Sequence, residues 1–333
     1  MATTTYGDIS QRTANWAVKE MLNHAQPILV LSKFGQSRPI PMNKAETAKF
    51  RRAVPFATAT TPLVEGVTPS SQKISYEDVS VTLQQYGGLI EISDKIADLA
   101  EDPVLQNVVQ LAGEQAASTQ EELLWGVLKA GVNKFYSGSA TTRGTVTATF
   151  ALTNQRAIVR NLRTNRATRV TSMLDASAKI GTKPIEGGFI AFAHSDMEHD
   201  IRTVGGTSFV PVAQYGSRQP LCPEELGSIE NIRYILSPVL APYPDAGGAK
   251  GTMKSTSGTS ADVYPIVYIS RDYFAVCPLA GKGAIKPAVL NPGVPSKSDP
   301  LGQRGYVSWK TWWAGAILNE SWGAIFECAA TAL

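Results

Sequence analysis

The chain has 333 residues, of which 43% are hydrophobic and 18% charged, with a formal net charge of +3. Such length and apolar content exclude a disordered protein and suggest two domains, or one with large extensions; so small a net charge does not mark a dedicated nucleic-acid binder. Charge below the roughly 25% of ordinary soluble domains, together with 28 Gly and 20 Pro, points to turns, extended arms and a surface covered by partners.

The cysteines Cys222, Cys277 and Cys328 show no metal-ligand spacing and read as free thiols of a reducing cytoplasm, packed as small hydrophobes. No charged-then-apolar leader and no apolar run near ~20 residues is present, so neither secretion by signal peptide nor membrane spanning is expected.

In chain order, a short amphipathic helix is expected over 10–25, carrying Trp16, Met21 and Leu22. The strip Pro27-Ile28-Leu29-Val30-Leu31, with Phe34 and Pro39-Ile40-Pro41, reads as an extended arm that needs another surface to bury it. From Lys44 to Ile92 the signal becomes strand. Lys49 to Val54 and Ile74 to Leu83 flank a Thr/Pro/Gly-rich middle, and Val79, Val81 and Leu83 alternate with polar residues, which is the period of a half-exposed strand. We expect a long hairpin whose tip, 57–71, is too long for a tight turn and too poor in apolar residues for a core. Such a projection touches a neighbour.

One long helix is expected from 102 to 131. Asp102 suits the N-cap and Pro103 the first turn. Leu105, Val108, Ala112, Ala116, Thr119, Leu123 and Val127 then recur at helical spacing, and Gly131 offers a left-handed stop. A helix of roughly 42 Å reads as a spine lying across something broad. After a Gly/Ser/Thr-rich stretch over 137–149, a second helix starting near Asn154 sets Arg156, Arg160 and Arg163 on one face. Over 154–184 there are seven Lys or Arg against one Asp. An intersubunit or solvated face is the simpler reading of this patch; phosphate contact is the other, and no aromatic interleaving accompanies it.

Gly188 to Ala193 is a buried-strand candidate leading to His194-Ser195-Asp196-Met197-Glu198-His199-Asp200. The histidines are five apart rather than the four of a zinc-protease helix, and Ser195 with Glu198 fits a capping box. Further on, 227–235 and 263–276 read as strands, and 242–262 as a flexible surface insertion whose Gly247 to Thr252 run lacks the ending of a phosphate loop. A closing strand hairpin is expected from Gly305 to Ile317 and Trp322 to Ala329, with Val307, Trp309, Thr311 and Trp313 on one face, packed under the spine. No nucleophile elbow, metal cluster or cofactor loop is found, so no enzyme, cofactor or catalytic residue is expected.

The order of parts, with Pro62 to Pro69, Leu83-Gln84-Gln85-Tyr86-Gly87, Ile90 to Lys95, Glu101-Asp102-Pro103, His194 to Arg202 and Gly227 to Asn231, resembles the major capsid proteins of tailed bacteriophages, in the N-four-type family. The resemblance implies an α+β chain of the Hong Kong-97 type capsid fold. Its parts would be an N-terminal arm (1–44), an extended loop (45–92), a peripheral domain (93–149 and 301–333) holding the spine helix 102–131, and an axial domain (150–300). It further implies self-assembly as hexamers and pentamers into an icosahedral head shell around packaged double-stranded DNA, touched non-specifically, with the virion as location and the host cytoplasm as the place of assembly. A portal, a separate scaffolding protein and cement proteins are the other implied partners; no membrane is. The residues expected to meet neighbouring subunits are Phe50, Arg51, Arg52, Leu63, Glu65, Arg156, Arg160 and Arg163. The competing readings are a bacterial nanocompartment shell of the same fold, separated by its cargo enzyme in place of genome-length DNA, and a nucleic-acid-binding protein, which should carry more positive charge.

Overall fold

The computed structural model describes residues 29–63, 65–95, 104–174, 182–216, 219–280, 286–290, 292–293, 295 and 299–333. The expected helix over 10–25 and the expected cap at Asp102 and Pro103 lie outside them. The strands and helices in chain order are β1 (Gln36–Ser37), β2 (Thr47–Ala53), β3 (Tyr76–Thr82), β4 (Gln84–Ser93), α1 (Val104–Leu128), β5 (Lys134–Tyr136), α2 (Leu152–Thr164), β6 (Val170–Leu174), β7 (Thr182–Ala193), α3 (Glu198–Gly205), β8 (Phe209–Pro211), β9 (Glu225–Ile229), β10 (Ile232–Leu236), β11 (Val263–Ile269), β12 (Phe274–Pro278), β13 (Lys286–Leu290), β14 (Arg304–Ile317) and β15 (Gly323–Ala329).

Helix α1 is the expected spine. Its buried stripe begins as anticipated with Ala112 and Ala116, then runs through Glu121, Leu124, Trp125 and Leu128, two positions on from the expected Thr119 and one on from Leu123 and Val127. The helix does not stop on a left-handed glycine. It tightens instead, with Ala130 N–H reaching Val127 O and Gly131 N–H reaching Leu128 O, both at 3.3 Å. Gly131 is needed for space, because a Cβ there would lie 3.0 Å from the Tyr273 hydroxyl and 3.1 Å from Ile325.

Two sheets flank this helix. In the five-stranded sheet β14 is the backbone, pairing with β4 along 304–313 and with β12 and β13 on its other edge. Period-two alternation places Val307, Trp309, Thr311 and Trp313 on the buried face, as expected. Val307 and Trp309 pack with Ile92 against Val109, Ala112 and Ala116 of α1, and the Trp309 indole N–H donates to Gln115 Oε1 at 3.0 Å. The eight-stranded sheet, ordered β5-β15-β11-β7-β10-β9-β8 with β6 on β7, is covered on one face by α2 and α3 through Ile158, Leu162 and Ile201. Its other face meets the C-terminal half of α1 through Ile325, Val267 and Ile190.

Four expectations differ from the structure. The closing hairpin does not form, since β14 belongs to the five-stranded sheet and β15 to the other, paired with β11 and β5. Every residue of β15 is buried, which suits the interior of a sheet covered on both faces. Likewise 263–276 is not one strand but β11 and β12, one in each sheet, and 227–235 is a tight β9–β10 hairpin whose turn residue Glu230 has φ 56°. The 242–262 segment is no loose insertion. Asp262 accepts from the Asp245 and Thr256 amides at 2.8 and 3.0 Å, Asp245 accepts from the Ser257 amide at 3.0 Å, and Met253 bridges to Thr331.

Candidate assembly surfaces

The first surface is the β2–β3 hairpin and its loop. Seven residue pairs, from Thr47 with Thr82 to Ala53 with Tyr76, hold the two strands together. At the root, Phe50 is buried with Ile40, Val81, Leu83 and Cys277 of its own chain, and Arg38 lies over its ring at 5.5 Å. Phe50 is therefore largely taken up within its own chain. Further out, Arg51 makes a two-pronged pair with Asp78 at 2.8 and 2.9 Å and lies over the Tyr76 ring at 5.4 Å. Arg52 pairs with Glu77. The Arg51 hydrogen bond holds the Asp78 carboxyl below its ordinary range. These cross-strand pairs are exposed and contribute little stability; as consecutive strand residues, Arg51 and Arg52 lie on opposite faces of the ribbon.

The described residues between Ala53 and Tyr76 carry no regular structure, and almost nothing covers them. Phe56, Leu63, Val67 and Ile74 all stand exposed, Leu63 at 77% and Val67 at 61%. Glu65 lies between those two, followed by Gly66 with φ +78°, a left-handed bend that favours glycine. Val64 is outside the described residues.

The second surface is the outer face of α2. Its buried face is set by Gln155, Ile158 and Leu162. Gln155 donates to Ile229 O at 3.2 Å and accepts from the Tyr234 hydroxyl at 2.7 Å, which fixes the helix on the β9–β10 hairpin. The opposite face brings Arg156, Arg160 and Arg163 together along an open groove of about 790 Å³ with Val159 and Ile232 beneath them. The left-handed turn at Glu230 aims its carboxylate at Arg156, and the two pair at 2.7–2.8 Å. The stripe is thus partly neutralised within the chain. Residues 175–181 of the wider basic stretch lie outside the described residues.

The histidine and acid cluster resolves differently from the expected capping box. The residue that caps is His194, whose Nδ1 accepts from the Asp196 amide at 3.1 Å, while Ser195 opens a three-residue 3-10 turn ahead of α3. Burial pushes the His194 pKa down, favouring the neutral ring that such an acceptor requires. Asp196 is pushed up by burial, but donors outweigh that effect and hold it below its ordinary value: Lys254 Nζ at 2.6 Å and the Tyr264 hydroxyl at 2.8 Å. Asp200 accepts from the Thr331 hydroxyl and amide at 2.6 and 2.9 Å. The cluster thus fastens the 242–262 loop and the end of β15. Among the described residues no group of three or more His, Cys, Asp or Glu side chains is placed to hold a metal ion, and no helix is long and apolar enough to cross a membrane.

Two pairs built on fully buried carboxylates were missed by sequence reasoning. Glu327 accepts from Arg143 at 2.8 and 2.7 Å, and Glu225 joins Arg233 at 2.7 Å with the Tyr215 hydroxyl at 2.7 Å. In the first case the partners are 184 residues apart and no local pattern announces them; in the second they lie eight residues apart on the two strands of the β9–β10 hairpin, and only the hairpin's closure brings them together.

The comparisons follow the same outline. The family described as phage capsid protein matches residues 76–326. The chain is 24% identical over 268 residues to the major capsid protein of Pseudomonas phage KPP21, covering 74% of this chain and 66% of that one, so it spans about two-thirds of the relative's length. Among solved structures it resembles the capsid of Ralstonia phage GP4, with TM-score 0.65, 13% identity and coverage of 90% and 88% of the two chains. It also resembles the capsid structure of Cyanophage P-SCSP1u, with TM-score 0.60, 12% identity and coverage of 91% and 89%. At such identities the likeness concerns the fold, which is of the Hong Kong-97 type.

Proposed function

The chain belongs to the phage capsid protein family, and on that premise we propose that it is the major capsid protein of a tailed bacteriophage, tiling as hexamers and pentamers into the icosahedral head shell that encloses packaged double-stranded DNA. The observation that carries this reading is the loop over 54–75. It exposes Phe56, Leu63, Val67 and Ile74 at the end of a paired ribbon. A soluble monomer gains nothing from apolar side chains held out this way, whereas a lattice of copies covers them.

In this reading the shell work is mechanical. The titratable groups that gather around Asp196 and Glu327 are engaged by their own chain, which supports a structural role over a chemical one. The division into arm (1–44), extended loop (45–92), peripheral domain (93–149 and 301–333) and axial domain (150–300) belongs to the same proposal, with β15 contributed to the sheet of the axial part. The virion is the site of action, after assembly in the host cytoplasm. A portal, a separate scaffolding protein and cement proteins complete the partners, and the DNA is touched without sequence preference.

Leu63, Glu65, Arg51 and Arg52 are assigned to contacts of the extended loop with an adjacent subunit. Arg156, Arg160 and Arg163 are assigned to contacts between capsomer subunits. Phe50 acts from inside its own chain by anchoring the ribbon.

Sedimentation and light scattering of the purified chain, with and without its scaffolding partner, test the proposal. Closed shells or capsomers are expected. A monodisperse monomer across a wide concentration range, with scaffold present, contradicts it.

A further inference from the structure

We propose that Glu121 is a proton-linked latch that sets how firmly the segment entering the body at Val30 and Leu31 holds to helix α1. The inference concerns the chain itself and does not depend on the assembled state.

Residues Leu31–Lys33 form a 3-10 turn whose N-terminal amides have no side-chain cap of their own and no acidic residue in the first turn. They are capped instead from 90 residues away. Glu121 Oε1 accepts from Val30 N–H at 2.6 Å and from Leu31 N–H at 3.0 Å, and Oε2 receives a longer contact from Leu31 N–H at 3.2 Å. Glu121 is 2% exposed, in the middle of the α1 stripe. Around the junction Leu31 and Phe34 pack with Leu124, Trp125 and Phe274 in one apolar cluster.

Two opposed forces act on this carboxyl. Burial in an apolar cluster disfavours the charged form, while N–H donors favour it. Burial wins, pushing the pKa from its ordinary 4.5 up to about 7. The two short bonds converge on Oε1 and Oε2 takes the longer Leu31 contact, while the Ser32 amide adds a further donor on the side of the charged form, and burial still outweighs all three. The charged group that faces the site from the turn is Lys33. On α1 itself the neighbouring Glu122 is exposed. Strand β6 brings Val170 and Met173, β7 brings Phe192 and β12 brings Phe274, none of them titratable; the Cys222 thiol of the same cluster is pushed up by burial to about 12 and stays neutral.

When the segment lifts away, Glu121 meets water and its pKa returns toward 4.5. The docked state therefore binds a proton over a range in which the released state does not, and linkage fixes the sign. Docking is strongest below the ordinary carboxyl pKa and weakens as pH rises through about 7. A rise in pH loosens the latch.

Hydrogen exchange read at Val30 to Phe34 tests this, expressed as protection relative to intrinsic rates in one assembly state. In the wild-type chain, protection should fall on the order of a hundredfold between about pH 5 and about pH 8.5, with most of the fall below about pH 7 and β11 unaffected. Glu121→Gln keeps an oxygen acceptor and cannot ionise, so it should stay protected at both ends. A flat wild-type profile, or the same fall in Glu121→Gln, overturns the proposal. Should the variant not fold, a carboxyl 13C titration of the wild-type chain decides the matter: a midpoint near 7 supports the latch and one near 4.5 refutes it.

Discussion

Glu327 has no solvent exposure, and its carboxylate is held by the Arg143 guanidinium with Lys134 Nζ at 3.9 Å. Removing Arg143 leaves the buried Glu327 carboxylate with only the more distant Lys134, and breaking such a pair from one side costs more than the intact pair contributes. Arg143→Met should therefore destabilise the unassembled chain by about 3 kcal/mol, read as a shift in urea midpoint, and adding Glu327→Gln should recover part of the loss. Additive losses in the double variant would show that the pair is not coupled. The sequence offered no hint of this pair. Arg143 sits in a Gly/Thr-rich stretch and its partner is 184 residues on, so only the closed fold joins them. His194 was legible as part of a cap, but its imidazole, rather than Ser195, supplies the acceptor, because Ser195 is already inside the turn.

At the scale of elements, the faces were legible and several pairings were not. Alternation in β14 marked Val307, Trp309, Thr311 and Trp313 as one buried face, since successive strand residues must point to opposite sides. What alternation cannot give is the partner strand. β14 and β15 are consecutive yet enter different sheets, and the 3-10 turn at Glu320–Trp322 separates them. Trp309 joins the sheet to α1 through Gln115, so Trp309→Ala should cost about 3–5 kcal/mol as measured by chemical unfolding; a loss under about 1 kcal/mol would place the junction elsewhere. The extended loop carries a different expectation. Deleting 57–70 should abolish assembly and leave the circular dichroism and thermal transition of the body intact, because few core contacts are lost. Normal shells from the shortened chain would show that the loop is not an interface. For α2, charge reversal at Arg156, Arg160 and Arg163 together should impair capsomer formation in the absence of DNA, since reversed charges would face the acidic groups of a neighbour. Intact empty shells that package DNA poorly would assign the stripe to phosphate contact instead.

For the whole molecule, two sheets share one long helix, and the chain crosses between them at 270–273 and again at 318–322. This arrangement makes a body stiff enough to carry a projecting ribbon whose apolar tip it does not itself cover. The spine, the ribbon and the family resemblance were all readable from sequence because they rest on local periodicity and ordered motifs; the 242–262 loop was not, because its order comes from Asp245 and Asp262 closing hydrogen bonds across it. The central claim is that the uncovered loop completes itself on a neighbouring copy. A cryo-EM reconstruction of assembled particles at side-chain resolution tests it most directly. In an icosahedral lattice, Leu63, Glu65 and Val67 of each chain should be buried against an adjacent subunit. Particles in which those residues remain in solvent, or fold back onto their own chain, would contradict it.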